Sequence, residues 1–206
     1  MKKTRIFIVR HTETIGNVEK RLAGIKDYEI TENGEKLIDK LTRELRNVKF
    51  DKIYSSKSQR AIKTVHPLAI LNKLEIEELE ELQEMNFGIY DGWKWEDINK
   101  IHPEINQTKN KINEICGIPE QETMEQVAER MYKCITEIAL SNIGNTILIS
   151  SHGVAIEAFL RKILKKPFKE DKETLCQHNV AINELEFENN NYNIIQLSNV
   201  KYLKKY

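Results

Sequence analysis

With 206 residues, and 32 lysines and arginines balanced by 32 aspartates and glutamates, the chain is long enough for one full domain and carries no net charge. A domain of this size buries roughly 70% of the surface its unfolded chain exposes, so its core needs no staples. A neutral chain has no bulk field to attract nucleic acid or an anionic membrane; neither is expected as a partner, and any bound anion must be held by a local cluster of positive groups.

The first element is the run Ile6-Phe7-Ile8-Val9, continuous, β-rich and apolar, which predicts a strand buried on both faces. Thr31 is a good N-cap for a helix through Arg46, in which Leu37, Ile38, Leu41 and Leu45 recur at helical spacing. Residues 51–56 form a short second strand ending in serines, and a helix from about Lys57 to Leu71 follows, with Pro67 expected to kink it. Residues 74–82 mix both periods and are assigned to a short edge strand.

The stretch 86–120 holds Gly88, Gly92, Pro103, Gly117 and Pro119 around a short helix near Trp95–Ile101, and is expected to cap a site. Thr123 and Gln126 form a capping box that opens a long helix to about Asn142. Thr146–Ser150 is a second doubly buried strand; it passes through Ser151-His152-Gly153 into a helix over Val154–Lys165. Val180–Glu188 and Asn193–Leu197, split by three asparagines, read as a hairpin. Strands alternating with helices predict one domain spanning 1–206: a three-layer α/β/α sandwich on a mostly parallel sheet.

Cys116, Cys134 and Cys176 are odd in number and widely spaced, so neither a disulfide framework nor a zinc knuckle is expected. The apolar run after the N-terminal lysines stops at Arg10, too short for a signal peptide, and no stretch approaches the ~20 residues of a membrane span. The expectation is a cytoplasmic protein with no metal and no cofactor.

The chemistry gathers where the two most apolar strands end. Each ends in a histidine, His11 and His152, and ligands of open α/β sheets bind beyond the carboxyl ends of the strands. Arg10, Asn17 and Arg60 are expected around them; Arg60 follows the other short strand by one helical turn and is expected at the mouth of the same crevice. Two guanidiniums, two imidazoles and an amide are a dense set of donors for a tetrahedral oxyanion. His66 and His102, each before a proline, are expected to be structural or exposed; Tyr90, Trp93 and Trp95 fit either cap core or substrate wall.

These residues carry a resemblance. Arg10-His11-Thr12-Glu13-Thr14 with Asn17 closely resembles the R-H-G-E-T-x-x-N signature of the histidine phosphatase superfamily, which includes phosphoglycerate mutases. It continues through Ser55–Ala61 with Thr64, Leu82–Gly88 and Ser151-His152-Gly153, in the family's order. The resemblance implies a mixed six-stranded sheet with one antiparallel strand, and a nucleophilic His11 that becomes phosphorylated. It implies that Arg10, Asn17, Arg60 and His152 hold the phosphoryl group, and that Glu84 is the proton donor. The partner it implies is a phosphorylated small molecule, with sugar phosphates, phosphoglycerates, phosphoserine and nucleotide-precursor phosphates all open.

Two residues depart from the pattern: Thr12 replaces a glycine, and Ala23, before Gly24, replaces a frequent glutamine. Thr12, Ala23, Gly24 and His178 are the further candidates for substrate contact. A short cap and a brief tail favour a phosphatase over a mutase; a non-catalytic phospho-ligand binder would be expected to lack one of these residues.

Overall fold

The computed structural model describes residues 2–103, 118–168 and 175–205; Cys116 and the middle of the 86–120 stretch lie outside them. Strand β1 covers Thr4–Arg10, followed by a one-turn helix α1 (Ile15–Val18), helix α2 (Glu32–Leu45), β2 (Lys52–Ser55), α3 (Gln59–Asn72) and β3 (Ile76–Glu78). Then come α4 (Trp95–Ile101), α5 (Met124–Ser141), β4 (Thr146–Ser151), α6 (Gly153–Ile163), β5 (Ile182–Glu188) and β6 (Asn191–Asn199).

The caps form as the side chains dictate. Thr31 Oγ1 accepts from the Gly34 N–H at 2.9 Å, which starts α2. At α5, Gln126 N–H donates to Thr123 Oγ1 at 3.2 Å and Thr123 N–H to Gln126 Oε1 at 2.8 Å, a reciprocal box. Helix α3 keeps one unbroken span through Pro67. Asn189 and Asn190, at φ of 51° and 59°, supply the left-handed pair that a tight hairpin turn needs between β5 and β6.

The six strands run in the order β3-β2-β4-β1-β5-β6. β1 pairs with β4, β4 with β2 and β2 with β3 in parallel, while β5 runs antiparallel to both β1 and β6, so it is the single reversed strand. Period-two alternation splits the core. Ile6, Ile8, Ile147 and Ile149 face α5 and α6, whereas Phe7, Val9 and Leu148 face α2 and α3. Helices cover both faces, the arrangement that continuous apolar strands require.

The 74–82 segment is a correction in part. Only Ile76–Glu78 pairs as an edge strand, and Glu80–Leu82 turns as a 3-10 helix, because Leu82 must reach the core while the glutamates stay in water. Cys134 and Cys176 are free thiols, and burial pushes that of Cys134 up to about 12. No helix among the described residues is long and apolar enough to cross a membrane.

Candidate active site

Parallel pairing of β1 with β4 sets Arg10 opposite Ser151, so the next residue of each strand, His11 and His152, emerges at the same sheet end. Their ring centroids lie 5.2 Å apart and both rings are buried. His11 Nδ1 sits 2.7 Å from the Thr12 carbonyl. A carbonyl only accepts, so Nδ1 carries the proton and Nε2 keeps its lone pair. Burial, and then the charges of Arg10 and Arg60, hold this imidazole well below the ordinary 6.5, although the bond to Thr12 pulls the other way. His11 is therefore neutral at pH 7 with a free base directed away from its own backbone.

His152 has the opposite tautomer. Arg60 Nη2 lies 3.1 Å from its Nδ1, and a guanidinium has only donors, so Nδ1 accepts and the proton sits on Nε2, which donates to Ser56 Oγ at 2.7 Å. Burial first, then Arg60, His11 and Arg10, hold His152 well below 6.5 as well.

The two arginines behave differently. Arg10 donates from Nη1 to the Gln177 carbonyl at 2.6 Å, while its Nε is buried with no partner. Its guanidinium lies across the start of α6, where a Cβ on Gly153 would come within 3.3 Å of Nε. Arg60 is fully buried behind the cavity wall and not at its mouth. Its Nη1 holds the Lys26 carbonyl at 3.0 Å and Asp27 Oδ1 at 2.9 Å; its Nη2 holds the carbonyls of Ala23 and Gly24 at 3.0 and 2.9 Å. It thus clamps the 23–27 loop against His152, and only its Nε remains buried and unpartnered. Two buried, unpartnered guanidinium N–H groups beside one pair of histidines demand an acceptor.

A cavity of about 230 Å³ opens between these elements. Its wall includes Arg10, His11, Asn17, Ala23 and Glu84, so these expected residues come together. Thr12, Gly24, Arg60 and His152 stand behind the wall, and His178 is exposed away from it. Thr12 is turned inward: its hydroxyl donates to the Gly34 carbonyl at 2.7 Å and its N–H to Thr64 Oγ1 at 2.9 Å. The threonine thus tethers the His11 loop to α2 and α3, and presents nothing to a ligand. Gly24 instead gives its N–H to Asp91 Oδ1 at 2.7 Å.

Where His178 was expected, the wall is built by Cys176 and Gln177. Arg21, Leu22, Phe87, Gly153, Val154 and Glu157 complete it. Glu157 stands one helical turn after Gly153, a spacing that reads from the sequence once His152 is fixed at the helix start. Arg21 adjoins the Ala23-Gly24 pair in the chain. Cys176 and Gln177 carry no sequence signal, since an irregular segment brings them in.

Glu84 is held by backbone. Oε1 accepts from the N–H groups of Met85 and Ala155, both at 2.9 Å, and Oε2 from Val154 N–H at 3.1 Å. Its own strand of chain is fixed by Arg130 of α5, whose guanidinium donates to the carbonyls of Glu81, Gln83 and Glu84 at 2.8, 2.8 and 3.1 Å. Among the described residues no group of three or more His, Cys, Asp or Glu side chains is placed to hold a metal ion.

The histidine phosphatase superfamily (branch 1) model matches residues 6–200. The probable phosphoglycerate mutase GpmB of Yersinia pestis (strain Pestoides F) is 28% identical over 166 residues, covering 79% of this chain and 76% of its own. The crystal structure of phosphoglycerate mutase from Bacillus anthracis str. Sterne superposes with a TM-score of 0.85 at 24% identity, over 99% of this chain and 96% of that one. Phosphoserine phosphatase from Entamoeba histolytica, solved with 3-phosphoglyceric acid, gives 0.82 at 22% identity, over 97% and 99%. At such identities the two structures speak for the fold alone, and they share the six-stranded α/β architecture. With a family model that spans nearly its whole length, the chain belongs to the histidine phosphatase superfamily.

Proposed function

We propose that this protein is a metal-independent phosphomonoesterase that hydrolyses phosphorylated small molecules through a phosphohistidine at His11. The observation that carries the reading is the His11 tautomer: with Nδ1–H spent on the Thr12 carbonyl, Nε2 is a neutral nucleophile on the wall of a cavity that also holds Arg10. Phosphoryl transfer asks mostly for positioning and for cations around the equatorial oxygens, and the unpartnered Nε of Arg10, the Asn17 amide and the charge of Arg60 supply both.

In the first step Nε2 attacks phosphorus, the bond from phosphorus to the ester oxygen breaks, and protonated Glu84 gives its proton to the departing alkoxide. In the second step a water attacks phosphorus, Glu84 takes a proton from it, the N–P bond breaks, and inorganic phosphate leaves with His11 restored. The cavity is open to solvent, which lets water in. A mutase would instead return the phosphoryl group to a second hydroxyl, the reading favoured by the likeness to GpmB.

The test is a rapid quench in alkali after mixing with labelled substrate. A phosphoramidate survives base and is lost in acid, so wild type should carry base-stable label, turn over in EDTA and release phosphate; His11→Ala should carry none. Label persisting in His11→Ala would move the nucleophile elsewhere. Label on His11 with phosphoglycerate interconverted and no phosphate released would favour the mutase.

A further inference from the structure

Asn179 belongs to none of the motifs above, yet it touches both the nucleophile's backbone and the amide beside it. Its Nδ2 lies 3.0 Å from the His11 carbonyl and 3.3 Å from Asn17 Oδ1. The carbonyl of His11 can only accept, so the Asn179 atom facing it must be the nitrogen. Asn17 is fixed by the same logic from its other side: the Thr14 N–H, a donor only, lies 3.1 Å from its Oδ1, with Thr14 Oγ1 at 3.2 Å. Two backbone groups therefore set the order of two amides, and they leave Asn17 on the cavity wall with its Nδ2 donors free to face a ligand.

The residue after Asn179 is held with equal care. Val180 is fully buried and adopts φ of 54°, a left-handed conformation that β-branched residues rarely take. Its N–H donates to the Arg10 carbonyl at 3.1 Å, and its own carbonyl accepts from Tyr202 Oη at 2.7 Å. A strained backbone persists only where its surroundings over-determine it, and here those bonds hold the main chain next to Asn179.

We propose that Asn179 is a positioning residue for phosphoryl transfer: it orients Asn17 so that a donor, and not the amide oxygen, meets the phosphoryl oxygens. The inference rests on the phosphatase reading above. Asn179→Leu keeps the size and removes both donors, so Asn17 loses a bond that fixes its orientation.

The experiment is a double-mutant cycle with orthovanadate as the probe, binding measured calorimetrically on wild type, Asn179→Leu, Asn17→Ala and the double variant. Asn179→Leu is expected to weaken vanadate roughly tenfold, the scale of one hydrogen bond to a charged group. Asn17→Ala should lose about as much, and the double variant no more than Asn17→Ala alone, because Asn179 acts through Asn17. Should Asn179→Leu fail to fold, Asn179→Ala, which also lacks the donors, enters the same cycle with the same expectation. Losses that multiply in the double variant, or a single Asn179 variant that binds like wild type, would overturn the inference while leaving the phosphatase reading intact. A wild-type protein that does not bind vanadate would overturn both.

Discussion

Replacing Arg60 by methionine tests whether this guanidinium is the clamp of the 23–27 loop. Methionine fills most of the volume and keeps the linear stem, so the change isolates the polar head. Lost are the bonds to the carbonyls of Ala23, Gly24 and Lys26, to Asp27 and to His152 Nδ1. An acceptor left without a donor in a buried place costs about 1–3 kcal/mol. Gly24 is buried, Ala23 half-buried and Lys26 exposed, so water relieves the last, and the Asp27 side chain, 31% exposed, counts for little. Two unrelieved carbonyls and an imidazole nitrogen sum to roughly 3 kcal/mol, low in that range for each. At ~2–4 °C per kcal/mol for a chain of this length, the melting temperature should fall by roughly 6–12 °C. Differential scanning calorimetry reads this, and a vanadate titration of the same samples should show a blunted stabilisation. A melting temperature within ~2 °C of wild type would refute the clamp; a full vanadate shift would show that Arg60 lends nothing to the anion.

Glu84→Gln should lose ~10²–10⁴-fold on an alkyl phosphate and far less on p-nitrophenyl phosphate, whose leaving group departs without a proton; equal losses would mean that Glu84 only positions groups. The pH dependence of stability follows from the two buried histidines. Both are held below 6.5 in the folded state, so below about pH 6.5 the unfolded chain binds more protons than the folded one, and stability falls as pH drops. The slope contributed is up to ~1.4 kcal/mol per pH unit for each imidazole, and urea titrations between pH 7 and 5 should show a shallower fall in His152→Gln; an unchanged slope would mean that His152 is not buried neutral.

The parts of the fold that read from sequence are those with one dominant force. Ile6–Val9 and Thr146–Ser150 are continuous apolar runs, and a strand inside a covered sheet is the structure that buries both of their faces. Thr31 and the Thr123–Gln126 pair satisfy helix N–H groups locally, so their helices begin where the side chains say. The 74–82 segment is harder because its glutamates keep it wet while Leu82 alone is drawn inward. The one-turn helix Ile15–Val18 is too short to show a period.

At the site, His11 and His152 are legible because strand ends carry them. The behaviour of Arg60 is not, because its partners are main-chain carbonyls of a loop 34–37 residues away, which have no residue-type signature. Glu84 is legible by its motif and not by its environment: the N–H groups that hold it belong to α6 and to the next residue in the chain.

The order of the strands also has a consequence for synthesis. β1 sits at the middle of the sheet, yet its neighbours are β4 and β5, so Arg5 waits for Thr146 and Thr4 waits for Phe187. During synthesis β1 is made well before either of its partners and stays unpaired until β4 and β5 follow. Closing such long loops before any contact rewards them makes folding slow, and it leaves the 6–9 run exposed to other chains in the meantime. The same order acts as a safeguard: the His11 loop is shaped by bonds from Ser151, Asn179 and Val180, so a truncated product that stops before β4 has the nucleophile but no means of presenting it.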